Sequence, residues 1–134
     1  MRKFLIFIIL VGGSIYFLGQ LIPFTNGVPE ESESQRAASD NAVRWLRNHY
    51  RTYLDGGWSL IGVHQDGSNF MVEIKVPAHQ AASFIEMPSS RRMAIYAQTC
   101  PNAQEEIWGM LRSGQSIRIN VFSDQYGQFG NTGC

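Results

Sequence analysis

The chain opens on one uninterrupted apolar run. Phe4 to Phe24 covers 21 residues without a charge, and about 20 apolar residues suffice for a helix to cross the hydrocarbon layer of a bilayer. Arg2 and Lys3 precede the run, and the next basic residue is Arg36. The positive-inside rule then keeps the N-terminus in the cytoplasm and exports the rest. Tyr16 falls toward the outer end, and Pro23 suits the helix exit. A cleaved signal peptide is the competing pattern, with Phe4–Leu10 as its apolar core and Val11-Gly12-Gly13 as its small-residue site. The apolar run continues through Ile15-Tyr16-Phe17-Leu18 with no A-x-A pattern behind it, which favours an uncleaved anchor over residues 1–24. No cysteine near the N-terminus is available to carry a lipid.

The pattern then turns polar. Residues 25–39, TNGVPEESESQRAAS, hold Gly27, Pro29 and three glutamates. Such a stretch predicts a flexible tether, with a domain over 40–134 behind it.

Helical periodicity starts at Asp40. Val43, Leu46, Tyr50 and Tyr53/Leu54 recur on one face, with Asp40 or Ser39 as candidate N-cap and Asp55-Gly56-Gly57 as the stop. Two extended runs follow, separated by Gln65-Asp66-Gly67-Ser68, and Asp-Gly between such runs is a hairpin signal. Phe70, Val72, Ile74 and Val76 alternate with polar positions and predict an inward face. Pro77 ends the run. Ala78–Glu86 predicts a short helix with Ala78, Ala81, Ala82 and Ile85 on one face. A second begins at Pro88-Ser89 and runs to about Thr99, with Met93, Tyr96, Ala97 and Cys100 sharing a face. Pro101 suits the first position of a third, through Leu111. Ile117, Ile119 and Val121 alternate again, Asp124–Gly127 turns, and Gln128–Cys134 adds a short edge strand. The predicted fold is α+β: an antiparallel sheet of three or four strands covered by helices.

Charge narrows the function classes. The chain holds 11 basic and 11 acidic residues. Without Arg2 and Lys3 the exported part is slightly acidic, which argues against nucleic acid as a partner. Cys100 and Cys134 are the two cysteines. In an oxidising compartment they pair and tie the chain end back to the domain.

Candidate chemistry is sparse. His49, His64 and His79 show no metal-ligand spacing, and two cysteines without a nearby histidine do not make a zinc set. The sequence therefore suggests no metal, no cofactor and no catalytic residue. Glu105-Glu106 at the start of a helix is explained by the helix dipole. Arg44, Arg47 and Arg51 form a basic stripe opposite Val43, Leu46 and Tyr50. A solvated face supported by Asp40 at i−4 of Arg44 is the plain explanation; a contact for an acidic partner or anionic head groups is the sharper one. Arg91-Arg92 opens a helix, where positive charge opposes the dipole, and so points to an external anionic partner. Trp45, Trp58 and Met71 are candidates for an exposed apolar patch, with core packing as the competing role for each Trp.

An anchor, a tether and a domain without an evident catalytic set predict a non-enzymatic protein. The expectation is a single-pass protein of a bacterial inner membrane, held by residues 4–24, with a periplasmic domain. Cleavage would instead make it a free periplasmic protein. Its expected role is as an accessory or assembly factor on a larger envelope complex, such as secretion, pilus or respiratory machinery. The alternatives are a periplasmic inhibitor or immunity protein, a small-ligand-binding module with a pocket between sheet and helices, and a small hydrolase marked by a deep polar pocket.

Overall fold

A computed structural model describes residues 32–134. The expected membrane span 4–24 and the first part of the expected tether lie outside them. Among the described residues no helix is long and apolar enough to cross a membrane.

The first described helix, α1, runs Glu33–Tyr53, seven residues earlier than the periodicity from Asp40 predicts. Its N-cap is Ser32, whose main-chain N–H donates to Gln35 Oε1 at 3.1 Å. Serine at the cap and glutamine three residues on is the capping-box pair, and Glu33 adds a favourable charge to the first turn. Residues 32–39 therefore belong to α1 and not to a tether. The buried stripe is Ser39, Ala42, Leu46 and Tyr50. Tyr53, expected inside, is 52% exposed.

Strand β1 (Ser59–Asp66) and β2 (Asn69–Lys75) form the expected hairpin, turned by Gly67 at φ +57°. A bulge leaves Ile61 unpaired between Leu60 and Gly62 and exposes it. Helices α2 (Ala78–Glu86) and α3 (Ser89–Ala97) follow. Their buried residues are Ala81 and Tyr96, with Phe84 half-buried beside them. Ile85 and Met93, expected on the inner faces, are exposed. The third predicted helix shrinks to one turn, α4 (Ile107–Met110). Ahead of it the chain loops: Trp108 Nε1 donates to Asn102 O at 2.7 Å, and Glu105 N–H to the same oxygen at 3.0 Å. Those turn contacts take the place of the helical bonds that Pro101–Glu106 was expected to make.

Strands β3 (Ser116–Ser123) and β4 (Gly127–Gly133) make the second hairpin. The sheet order is β1-β2-β3-β4. Both hairpins are antiparallel, but β2 and β3 pair in parallel from Asn69↔Ser116 to Lys75↔Phe122. The sheet is thus mixed, and the expectation of a wholly antiparallel sheet fails at its centre. Short turns fix direction only within a hairpin. The helical crossover between β2 and β3 carries the chain back to the starting end, which makes the central pair parallel.

The core lies on one sheet face. Val63, Phe70, Val72, Ile74, Ile117, Ile119 and Val121 meet Leu46 and Tyr50 of α1, Tyr96 of α3 and Ile107 of α4. Tyr50 donates its hydroxyl to Thr99 O at 2.9 Å, so its one polar atom is satisfied inside, and burial raises its pKa. Alternation puts His64, Met71, Glu73, Lys75, Arg118, Asn120 and Phe122 on the other face. No described element covers that face.

The Cys100–Cys134 disulfide forms, with Cα atoms 5.6 Å apart and a sequence separation of 34. It joins the end of the α3 segment to the end of β4, and Cys134 N–H donates to Ile117 O at 2.9 Å.

Candidate functional site

The five arginines singled out from the sequence fall into two groups. Two have internal work. Arg47 Nη2 donates to Val63 O at 3.4 Å, pinning α1 to the edge strand β1. Arg92 Nη1 donates to Phe84 O and Ile85 O at 3.3 and 3.5 Å. Those carbonyls end α2, where a cation is favourable. The unfavourable place of Arg92 at the start of α3 is thus offset by the end of α2, and no external anion is needed to explain it. Arg44, Arg51 and Arg91 are exposed, and among the described residues none forms an ion pair. Among the described residues the salt bridge is Lys75–Asp124 at 2.7 Å, between exposed side chains.

The Trp45–Trp58–Met71 patch does not form. Trp45 and Trp58 both pack against the core. Trp58 Nε1 donates to Gln80 Oε1 at 2.6 Å, and its ring meets Phe84 edge-on at 5.8 Å. Met71 lies on the other face of the sheet by alternation with Phe70 and Val72.

Trp45 instead heads an aromatic column along α1. His49 stacks on it with centroids 4.7 Å apart and 13° between planes, and Tyr53 stacks on His49 at 5.2 Å and 15°. Spacing of four residues brings these rings above one another. His49 Nε2 is buried and finds no partner among the described residues. Burial lowers the His49 pKa from 6.5, against an opposing pull from the Glu105 carboxylate.

Beside this column runs an open groove of about 490 Å³ between α1 and α4. Asn41, Arg44, Trp45 and Asn48 line it from α1, and Glu106 and Met110 from the α4 side. Helical spacing puts Asn41, Arg44, Trp45 and Asn48 on one strip of α1. The groove is open, lined by donors, acceptors, one large ring and Met110. Among the described residues no group of three His, Cys, Asp or Glu is placed to hold a metal ion.

Sequence reasoning named Arg44 and Trp45 but missed the groove, because its other wall depends on where a one-turn helix comes to rest. The spacing Asn41-x-x-Arg44-Trp45-x-x-Asn48 was legible as a polar strip around one aromatic residue.

No family model matches this chain. No curated protein matches it either. Among solved structures, the fold is similar to that of a "putative secreted protein" of Pseudomonas aeruginosa, PA3611, with a TM-score of 0.53 and 13% sequence identity. The likeness covers 77% of this chain and 93% of that one. At that identity it speaks to the fold alone.

Proposed function

We propose that this chain is a membrane-anchored extracytoplasmic accessory protein that docks on a larger cell-envelope complex through the exposed basic strip of α1. The observation that carries the reading is the pair Arg44 and Arg51, exposed and without ion-pair partners among the described residues, on a helix whose third stripe arginine is held by β1. Unpaired guanidinium groups on a rigid helix suit bidentate contact with carboxylates of a partner. Three features support the location. Phe4–Phe24 is apolar enough to serve as an anchor. The Cys100–Cys134 bond fits an oxidising compartment. The fold resembles that of a protein described as secreted. The complex is of the secretion, pilus or respiratory kind, and the role is non-catalytic.

The test is co-purification of the full-length protein from its native membrane in mild detergent. Arg44→Glu/Arg51→Glu should lose the partner while keeping the wild-type thermal midpoint, because neither side chain supports the fold. Arg47 stays intact, since its loss would also loosen α1. Co-purification unchanged by the charge reversal would remove this surface from the reading. A one-to-one complex with a hydrolase would replace it with the inhibitor role.

A further inference from the structure

The three tryptophans differ in one respect. Trp58 Nε1 donates to Gln80 and Trp108 Nε1 to Asn102 O. Trp45 Nε1 has no acceptor among the described residues, and Trp45 is the tryptophan that lines the α1–α4 groove. His49 covers one face of its ring. Asn41, one helical turn earlier, lines the groove with Trp45 on the same strip. Around the ring stand two amides, Asn41 and Asn48, one guanidinium, Arg44, and one carboxylate, Glu106.

We propose that this groove binds a saccharide of pyranose units, stacked on Trp45. The chemistry of the lining selects that class. A pyranose has an apolar C–H face, which an indole face accepts, and a rim of hydroxyls that both donate and accept. Amides donate and accept as well, the guanidinium only donates, and the ionised carboxylate only accepts, so this lining meets both halves of each hydroxyl. One positive and one negative group leave the groove without a net charge, which disfavours a polyanion. The open shape suits a segment of a longer chain rather than an enclosed small molecule. The inference rests on the extracytoplasmic location proposed above, where cell-wall and surface glycans are found; the groove shares Arg44 with the docking strip, whereas Arg51 lies outside it.

The experiment follows the three indole N–H signals of the full-length, ¹⁵N-labelled protein by NMR. A zwitterionic detergent without a sugar head group keeps the groove free. Chitotetraose, a soluble muropeptide and cellotetraose are added in turn at millimolar concentration, with adenosine as the flat heteroaromatic competitor. Saturable movement of the Trp45 signal, with Trp58 and Trp108 still, is the expected result. Response to the amino sugars alone assigns a wall-type glycan; response to cellotetraose as well assigns a general glycan. Asn41→Ala/Asn48→Ala removes two hydrogen-bonding groups and should weaken binding roughly tenfold or more. Both side chains are exposed, and an unchanged amide spectrum checks the fold. A still Trp45 signal with all three sugars, equal movement of all three indoles, or a response to adenosine alone overturns the proposal. The double variant leaves Arg44 and Arg51 in place, so co-purification of the envelope partner should survive it, and failure of one reading is distinguishable from failure of the other.

Discussion

The two sides of the sheet's covered face are held by different physics. Over β1, α1 buries a stripe of Ala42, Leu46 and Tyr50 that is fully inaccessible. Beside β4, α3 contributes one large buried side chain, Tyr96, and the disulfide closes the chain end. The first side is held by distributed apolar burial, the second by a single ring fitted to a glycine and a covalent bond. The bulge in β4 is part of that fit. It frees Phe129 from pairing between Gly130 and Gln128, and Phe129 meets Tyr96 edge-on at 6.4 Å. Bulges re-aim side chains in this way. The α1 side should therefore tolerate small polar changes and suffer from lost volume. The α3–β4 side should suffer from added volume or a cut bond.

The largest effect belongs to the α1 side. Leu46→Ala empties a fully buried position and should cost about 2–5 kcal/mol in urea unfolding. A loss under about 1 kcal/mol would mean that the stripe does not carry α1. Next is Cys100→Ala/Cys134→Ala. A closed loop of this length is worth about 3–4 kcal/mol in the chain-entropy model. Because the effect acts on the unfolded chain, the native amide spectrum should change only near β4. Third is Gly130→Ala. A Cβ there would lie 2.8 Å from Tyr96 Cζ and 2.9 Å from its hydroxyl oxygen. Overpacking of that kind costs about 1–3 kcal/mol. Smaller and of opposite sign is Tyr96→Phe. The Tyr96 hydroxyl is buried without a partner among the described residues, and burial raises its pKa against the nearby Arg92 charge. Its removal should leave stability unchanged or raise it by up to about 1 kcal/mol, and should recover part of the Gly130→Ala loss. A destabilised Tyr96→Phe protein would show that the hydroxyl does have a partner.

The same contrast explains how much of the fold was legible. Hairpins and alternating strands carry their information locally, so β1–β2 and β3–β4 were read from Asp66-Gly67 and from the period-two runs. The parallel β2–β3 pair was not, because its direction depends on how far the crossover travels. The start of α1 was misplaced although Ser32-x-x-Gln35 was legible as a cap, since the surrounding glutamates resembled a tether. The predicted helix from Pro101 was cut short by tertiary turn contacts at Asn102, which no local propensity encodes. At the candidate site, Arg44 and Arg51 stand exposed as the periodicity implied. Arg47 and Arg92 make bonds to main-chain carbonyls that lie 16 and 7 residues away at the nearest, beyond what spacing along one helix can show.

The smallest predicted effect lies where the two kinds of side meet, at His49. Its ring is stacked in the α1 column, yet Glu105, on the loop that follows the disulfide-bonded Cys100, is the charge that acts on it. Burial outweighs that carboxylate, so the folded pKa lies below the unfolded value of 6.5. The unfolded state then binds the proton more tightly than the folded one, and stability must fall as pH drops below about 6.5 toward the folded pKa. Above that pH the ring is neutral in both states and the contribution is intact. Urea midpoints measured from pH 7.5 down to pH 5 give the slope, and His49→Gln, which keeps a planar polar group but does not titrate, should flatten it. Glu105→Gln should steepen it, because the folded imidazolium loses its one favourable charge. Equal slopes for wild type and His49→Gln would place the pH response elsewhere. A Glu105→Gln slope that is shallower than wild type would remove the carboxylate as the charge that favours the His49 imidazolium.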